Sequence, residues 1–208
     1  MVRRALSIGV AVGLYGVSFG AAAAAAGLSV PQACALSLLV FTGASQFALV
    51  GVLGAGGGVA AGVASAVLLG TRNALYGVVM ADRVQVRGPR RIAAAHVTID
   101  ESTAVGTTAP PHLAGVGFWW AGLTVYVLWN LSTFIGALGA AAVDTNAIGL
   151  DGAVGAAFLG LVWPRLTEAR WVALGGAVLA AIAVPLTPPG VPVLVAGAAV
   201  LPALVRRR

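Results

Sequence analysis

Charged residues are scarce in this 208-residue chain, and lysine is missing altogether. Charged residues make up 9% of the sequence, against about 25% in a soluble domain, whose surface water must solvate. Hydrophobic residues make up 60%. Most of the surface must therefore meet lipid rather than water, which indicates an integral membrane protein.

Other features are missing that enzymes and metal proteins need. The single cysteine, Cys34, excludes an intrachain disulfide and a cysteine-based metal site. His96 and His112 are not in the spacing of a zinc site, Gly43-x-Ser45 lacks the closing glycine of a nucleophile elbow, and no phosphate-binding loop is present. The sequence thus predicts no enzyme, no metal and no cofactor. The net charge of +6 falls in short arginine clusters without a basic face, which argues against nucleic-acid binding.

Long apolar runs predict an all-α, polytopic membrane helix bundle, formed by residues 1–208 as one domain. The alternation of a membrane β-barrel strand is missing. The first run is longer than the roughly 7–15 apolar residues of a secretory signal, so we expect a retained helix. The predicted segments number about six to seven and cover residues 5–27, 32–55, 58–81, 112–142, 150–163, 171–186 and 191–205.

Arginine placement predicts the orientation, since cytoplasmic loops carry the excess of basic residues. Clusters at both ends of the chain place both termini in the cytoplasm of a multi-pass plasma-membrane protein. Residues 3–4 and 83–91 both carry arginines, yet three apolar segments separate them, and three crossings would put the second cluster outside. One segment is therefore expected not to cross fully. The best candidate is 32–55, with Ser45 and Gln46 at its centre, as a broken or re-entrant helix. The alternative is that one cluster violates the rule.

Residues 92–111 form a second irregular segment, mildly apolar but rich in polar side chains. His96 and Asp100 are four residues apart, so a continuous helix would place them on one face. Each half of the chain then carries one interrupted polar segment, which suggests a weak repeat of residues 1–91 and 92–208.

Charges inside apolar sequence are the first candidates for function. Arg72 within the hydrocarbon would cost several kcal/mol unless paired, so it is expected to bind an acid or a substrate carboxylate; otherwise it is an interfacial anchor. Asp100 and Glu101 point about 100° apart on a helix, so one can face a cavity while the other pairs with Arg72 or His96. They are candidates for binding an ammonium group and, with His96, for proton coupling; otherwise they neutralise a helix end.

Uncharged polar residues in apolar segments also need hydrogen-bond partners. A substrate can supply these partners, and so can neighbouring helices, which leaves substrate binding and helix packing equally open. The residues concerned are Ser45, Gln46, Asn73, Trp129 and Asn130.

Several of these residues occur in motifs whose order along the chain resembles that of the AzlC family of branched-chain amino acid permeases. The most specific motif is Gly43-Ala-Ser-Gln-Phe47. The weaker matches are Arg72 running into Leu75-Tyr76, Asp100-Glu101 after the basic loop, and Trp129 ahead of Gly136 and Gly139. The chain departs from the family's Asn-x-Arg-His pattern, because Gly70 and Asn73 replace the Asn and His.

The resemblance implies a secondary transporter that exports branched-chain or other small apolar amino acids together with a small hydrophobic subunit of the AzlD type. An amino acid zwitterion needs a cationic site, an anionic site and an apolar pocket, and the candidate residues can supply all three. Two alternatives stay open: an ion channel subunit, and a membrane scaffold that transports nothing.

Overall fold

The computed structural model describes residues 1–142, 163, 166 and 169–201, and these residues form helices and turns without a β-strand. The predicted all-α helix bundle is confirmed. The predicted segment 150–163 lies almost wholly outside the described residues. The helices are α1 (Val2–Leu14), α2 (Gly16–Ala25), α3 (Val30–Leu39), α4 (Ala44–Gly54), α5 (Val59–Val84), α6 (Arg90–His96), α7 (Asp100–Thr108), α8 (Pro111–Ala141), α9 (Arg170–Ala183), α10 (Val191–Gly197) and a 3-10 turn (Ala198–Val200).

Three helical stretches of the described chain are long and apolar enough to cross a membrane. They are α1 with α2, which Tyr15 joins in a helical conformation, then α5, and then α8. They contain 24, 26 and 31 residues. At 1.5 Å per residue each is longer than the roughly 30 Å hydrocarbon core of a bilayer.

Glycines bring α1 and α2 into close contact with α8. A Cβ on Gly9 would lie 2.7 Å from the side chain of Thr124, and one on Gly20 would collide with the carbonyl of Thr133. Gly136 of α8 is equally close to the α2 backbone. The contact positions rise together along both helices, so α1 and α2 run parallel to α8. Small residues allow such close packing in membranes, where dispersion contacts replace the hydrophobic effect.

Helices α3 and α4 form a hairpin that goes halfway down α8 and returns; we call residues 30–54 hairpin one. Ser37 of α3 lies beside Thr133, and the tip at Gly43 lies beside Trp129, which is one turn nearer to the start of α8. The last residue of α4, Gly54, is back beside Ala26 at the end of α2. Hairpin one therefore begins and ends at the C-terminal end of α8.

Helices α6 and α7 form a second hairpin, residues 90–108, which enters from the other end of α8; we call it hairpin two. Val97 near its tip contacts Gly122 of α8. On the way back, Val105 contacts Gly117, close to the start of α8. Since α7 then leads directly into α8, hairpin two begins and ends at the N-terminal end of α8.

The two hairpins resolve the conflict in the arginine count. Segment 32–55 turns back halfway along α8, as a re-entrant segment would, so the arginines at residues 3–4 and 83–91 lie at the same end of the molecule. The expectation that His96 and Asp100 share a helix face is wrong. The helix breaks at residues 97–99, because Thr98 and Ser102 bond to the main chain there instead of allowing it to continue.

Helix α10 and the turn before it pack against α5 and the end of hairpin one, where Gly197 contacts Leu68 and Gly190 contacts Val52. The turn between α9 and α10 places the carbonyl of Gly190 3.5 Å from the hydroxyl of Ser65 in α5. The proposed halves 1–91 and 92–208 stay a prediction, since part of the second half lies outside the described residues.

Candidate functional site

The tips of the two hairpins are built in the same way. In hairpin one, Oε1 of Gln46 accepts a hydrogen bond of 3.0 Å from the backbone N–H of Gly43. In hairpin two, Oγ of Ser102 accepts a bond of 3.0 Å from the backbone N–H of Ile99. In each case a side chain of the third residue of the returning helix accepts a hydrogen bond from the backbone N–H of the residue that caps that helix, so one main-chain donor of the tip has a partner.

Between the tips lies Arg72, which α5 carries past both of them. Its Nη1 is 3.0 Å from Oδ2 of Asp100, the first residue of α7. Its Nη2 donates a longer bond of 3.4 Å to the carbonyl of Thr42 in the tip of hairpin one. One guanidinium thus bridges the two hairpins.

Helix dipoles add to the charge of the site. Both α4 and α7 begin at the tips, so their positive N-terminal ends face the middle of the molecule. Asp100 and Glu101 occupy the first turn of α7, where a negative charge is stabilised. The start of α4 carries no acidic residue, which leaves it suited to an anion from elsewhere.

A small cavity of about 20 Å³ lies between the tips; we call it the polar cavity. Its polar and charged lining residues are Thr42, Arg72, Asp100 and Glu101, and most of the other lining residues are apolar. The apolar lining is Val12, Phe41, Ala44, Ile99, Val125 and Trp129. The cavity has room for about one water molecule, whereas ligand pockets measure about 300–1,000 Å³. The cavity as it stands is therefore too small for an amino acid.

Trp129 lines the polar cavity and belongs to a cluster of aromatic rings. Its ring centroid lies 6.2 Å from Phe19 in a stacked arrangement and 6.4 Å from Phe47 in an edge-on one. The ring is 2% exposed, and its indole N–H has no protein partner. A buried indole N–H normally finds an acceptor, so Trp129 offers a fixed donor at the cavity.

Further polar atoms around the tips are buried without a protein partner. Leaving such an atom unsatisfied costs about 1–3 kcal/mol, so a concentration of them at one place indicates a site for a polar ligand. These atoms are Oγ1 of Thr42, Oγ of Ser45, Nε2 of Gln46 and Nε of Arg72.

The structure sorts the sequence-predicted residues into three groups. Arg72, Asp100, Glu101 and Trp129 line the polar cavity. Ser45 and Gln46 lie directly behind it in the first turn of α4 and are buried. Asn73 and Asn130 are not in its walls; Asn130 instead donates a bond of 2.8 Å to the Tyr126 carbonyl of its own helix.

His96 lies at the end of α6, outside the polar cavity. Its Nε2 is 2.9 Å from the carbonyl of Leu38 in hairpin one, and because a carbonyl only accepts, this nitrogen carries the proton. The ring also lies 5.4 Å from Tyr126 and 6.1 Å from Phe41, between their centroids. His96 thus joins the two hairpins.

Sequence reasoning missed the residues that contribute apolar or main-chain groups. The carbonyl of Thr42 and the side chains of Val12 and Val125 all contribute to the cavity. The Thr42-Gly43 pair inside an apolar run was a usable signal for a tip. The valines gave none, because a valine that lines a cavity and one that faces lipid look alike in a sequence.

A larger groove of about 1140 Å³ lies between α4, α5 and α10. Its walls are mostly apolar, and Arg72 is its charged lining residue. A groove of this kind on a membrane protein suits acyl chains or a neighbouring helix. The polar cavity is the better candidate site, since charges and unsatisfied polar atoms converge there.

These features define the class of protein: a helical membrane protein whose broken helices meet in a charged site, an arrangement typical of transporters. The chain matches the family model described as AzlC protein over residues 7–143, which is more than half of its length. It therefore belongs to the AzlC family, which is associated with transport rather than catalysis. The match contains both hairpins, α5 and α8. No curated protein matches the chain, and no solved structure does either.

Proposed function

We propose that this chain is a secondary transporter that exports branched-chain or other small apolar amino acids, together with a small hydrophobic membrane subunit of the AzlD type. The observation that carries the proposal is the Arg72–Asp100 ion pair between the two hairpin tips. An amino acid zwitterion has one charge to match each member of this pair.

Binding would separate the ion pair. The substrate carboxylate takes the place of Asp100 on the guanidinium of Arg72, near the N-terminus of α4 and the indole N–H of Trp129. The ammonium group then takes the place of Arg72 on Asp100. The exchange conserves the charge balance, so no uncompensated charge is left in the low-dielectric interior.

The apolar wall of the cavity favours an aliphatic side chain. Val12, Val125 and Trp129 line the cavity together with the charged residues, and Val125 is 1% exposed. Because the cavity holds about 20 Å³, the tips must move apart to admit an amino acid. Asp100 and Glu101 line the same cavity and supply the carboxylates through which a proton gradient would act. His96, at the junction of the hairpins, is the third candidate for proton coupling.

The test is efflux of radiolabelled leucine and valine from cells that express this chain with the small apolar subunit. We expect Arg72→Gln, Asp100→Asn and Glu101→Gln to abolish efflux while membrane insertion is unchanged. Asp82→Asn and Arg87→Gln are matched controls, because they remove the same charges at exposed positions beyond the site. Normal export by all three site variants would show that the site is wrongly assigned.

The orientation forms part of the proposal. Since residues 3–4 and 83–91 lie at one end of the molecule, that end is cytoplasmic in the plasma membrane, and hairpin one enters from outside. The C-terminus is proposed to be cytoplasmic as well, from residues 206–208.

A further inference from the structure

We infer that the apolar groove between α4, α5 and α10 is the path by which the substrate moves between Arg72 and the outer end of the molecule. The occupant is the amino acid itself, with its carboxylate towards Arg72 and its side chain against the groove wall. This inference rests on the proposed function, because a path matters only if an amino acid binds at the polar cavity. The shared position of Arg72, one face of α4 and the depth of the groove support it.

Arg72 belongs to both spaces, since it lines the polar cavity and the groove. Its Nη1 and Nη2 bond to Asp100 and to the Thr42 carbonyl, and its Nε is a buried donor without a protein partner. A guanidinium presents five N–H donors in one planar fork. A carboxylate can therefore exchange one donor for the next and stay bound to Arg72 while it passes from the cavity to the groove.

One face of α4 leads from the polar cavity into the groove. Ala44, the first residue of the helix, lines the cavity. Ala48, Gly51 and Ala55 follow on the same face, four, seven and eleven residues further along, and line the groove. All four residues are alanine or glycine, so no long side chain projects from this face to block a molecule that slides along it.

An unsatisfied hydroxyl lies where this face of α4 passes α5. Ser45 comes directly after Ala44 and three residues before Ala48; it is 2% exposed, and its Oγ has no protein partner. This Oγ is 3.3 Å from the position of a Cβ on Gly70, so it lies between the two helices. A buried hydroxyl left unsatisfied costs about 1–3 kcal/mol, which indicates a polar ligand at the place where cavity and groove adjoin.

The groove covers the half of the molecule that the proposed orientation places outside. Gly190 lines the end remote from Arg72, because its Cβ position is 2.8 Å from Ala61, eleven residues before Arg72 on α5. From Ala44 to Ala55 the chain rises about 16 Å, roughly half of the 30 Å hydrocarbon core. A substrate at Arg72 therefore has to pass only along this groove to reach the outer end.

The chemistry of the walls selects the occupant. Arg72 is the charged lining residue, and the hydroxyls of Thr71 and Thr187 donate to nearby main-chain carbonyls at 2.7 and 2.8 Å. The volume of about 1140 Å³ exceeds the roughly 300–1,000 Å³ of ligand pockets, so an apolar amino acid fits with water around its ammonium group. A lipid chain that entered from the outer end would bring its apolar terminus to Arg72, whereas an amino acid brings a carboxylate. Charge complementarity therefore favours the amino acid.

A thiol reagent tests whether the groove is an aqueous path or is filled by a lipid chain or another helix. In a Cys34→Ala background, expressed in cells with the small apolar subunit, Ala48→Cys places a thiol in the groove. Ala64→Cys is the matched control, because Ala64 is exposed on α5 and lines neither space. We expect a membrane-impermeant methanethiosulfonate added from outside to modify Ala48→Cys and not Ala64→Cys. Equal modification of both, or none at Ala48→Cys, would overturn the inference.

Substrate protection identifies the occupant. Leucine at about ten times its half-saturating concentration should slow the modification of Ala48→Cys about tenfold, since the fraction of free sites falls by that factor. Arg72→Gln should remove the protection and leave the thiol reactive, because the carboxylate loses its partner. Isopentylamine, which has the side chain of leucine without the carboxylate, is the control ligand. Equal protection by both compounds, or none by leucine, would show that leucine does not occupy the groove from Arg72 outwards.

A larger side chain in the groove tests whether export uses the path. Ala48→Leu narrows the groove and should lower leucine efflux more than valine efflux, which shifts their ratio by about tenfold, the effect of one methylene group in a pocket. Ala64→Leu makes the same change at an exposed position of α5 and should leave the ratio unaltered. An unchanged ratio in Ala48→Leu would count against the path.

The results separate the two proposals. Leucine efflux that depends on Arg72, in a chain whose Ala48→Cys variant is never modified, would remove the groove from the route and leave the transporter standing. No leucine efflux from the wild-type chain with its small subunit would refute the transporter, whatever the reactivity of Ala48→Cys.

Discussion

Arg72 and Asp100 reach each other from elements that arrive from opposite directions, and their side chains meet at 3.0 Å between the two hairpin tips. α5 carries the arginine through the whole molecule, whereas the aspartate begins the returning arm of a hairpin that goes only halfway. The side chains are 31% and 16% exposed, so the pair is partly desolvated.

Substitutions of the two ion-pair residues should have non-additive effects on the stability of the protein. Arg72→Gln and Asp100→Asn each leave one charge without its partner, whereas the double variant removes both charges. The double variant should lose less unfolding free energy than the two single variants lose together. We expect the difference to be about 0.5–3 kcal/mol, towards the lower end because Arg72 is partly solvated. Denaturant unfolding in detergent measures this, and strictly additive effects would contradict the prediction. Efflux should be lost in all three variants, since the substrate needs both charges.

Glycine packing should decide the stability of the α2–α8 contact. A Cβ at Gly136 would collide with the carbonyl of Val17, so Gly136→Ala should destabilise the protein by about 1–3 kcal/mol. Gly139→Ala, one turn further along α8, is the control, because no atom lies within 4 Å of its Cβ position. The control should be neutral or slightly stabilising. Equal melting temperatures for the two variants would argue against the close contact.

The tip of hairpin one should require glycine. Gly43 has φ +64° and ψ −86°, which a residue with a side chain adopts only under strain. Gly43→Ala should cost about 1–2 kcal/mol and reduce transport, because the strained tip displaces the Thr42 carbonyl from Arg72. Gly77→Ala, within α5 and with open space around it, should have no such effect. Comparison of melting temperature and leucine efflux for the two variants checks this, and an unaffected Gly43→Ala would speak against the tip geometry.

The size of residue 125 should set the preference for the substrate side chain. Val125→Ala enlarges the apolar wall of the polar cavity and should shift the leucine-to-phenylalanine competition ratio towards phenylalanine by about tenfold, the effect of one or two methylene groups in a pocket. Val127→Ala is the control on the same helix, since Val127 is 61% exposed. A ratio that shifts equally in both variants would mean that Val125 does not contact the substrate.

Much of the fold could be predicted from the sequence, because lipid allows few arrangements. The length of the apolar runs predicted the long helices. The arginine count indicated that one early segment does not cross fully, and Ser45 and Gln46 singled out segment 32–55. Hairpin two was harder to predict. Its polar residues are compatible with one amphipathic helix, and only their bonds to the main chain, such as Ser102 to the Val97 carbonyl at 2.6 Å, show that the chain turns back.

The candidate site was predictable only in its charged part. A charge in lipid is costly, so Arg72, Asp100 and Glu101 stood out against their surroundings. The pairing of Asp100 with Arg72 depends on the register of α7, which tertiary packing decides. Val12 comes from α1, and its place in the cavity follows from glycine contacts between helices that are far apart in sequence.

The half-length of the hairpin arms sets an order of assembly. The arms α3 and α4 have 10 and 11 residues, so each extends only about 15–17 Å and cannot cross a bilayer alone. Their non-helical tips expose main-chain groups that lipid cannot satisfy. The long helices α5 and α8 must therefore insert first and provide a protein-lined space for the tips. The hairpins enter that space in a second stage, so the site should mature only after the spanning helices have come together.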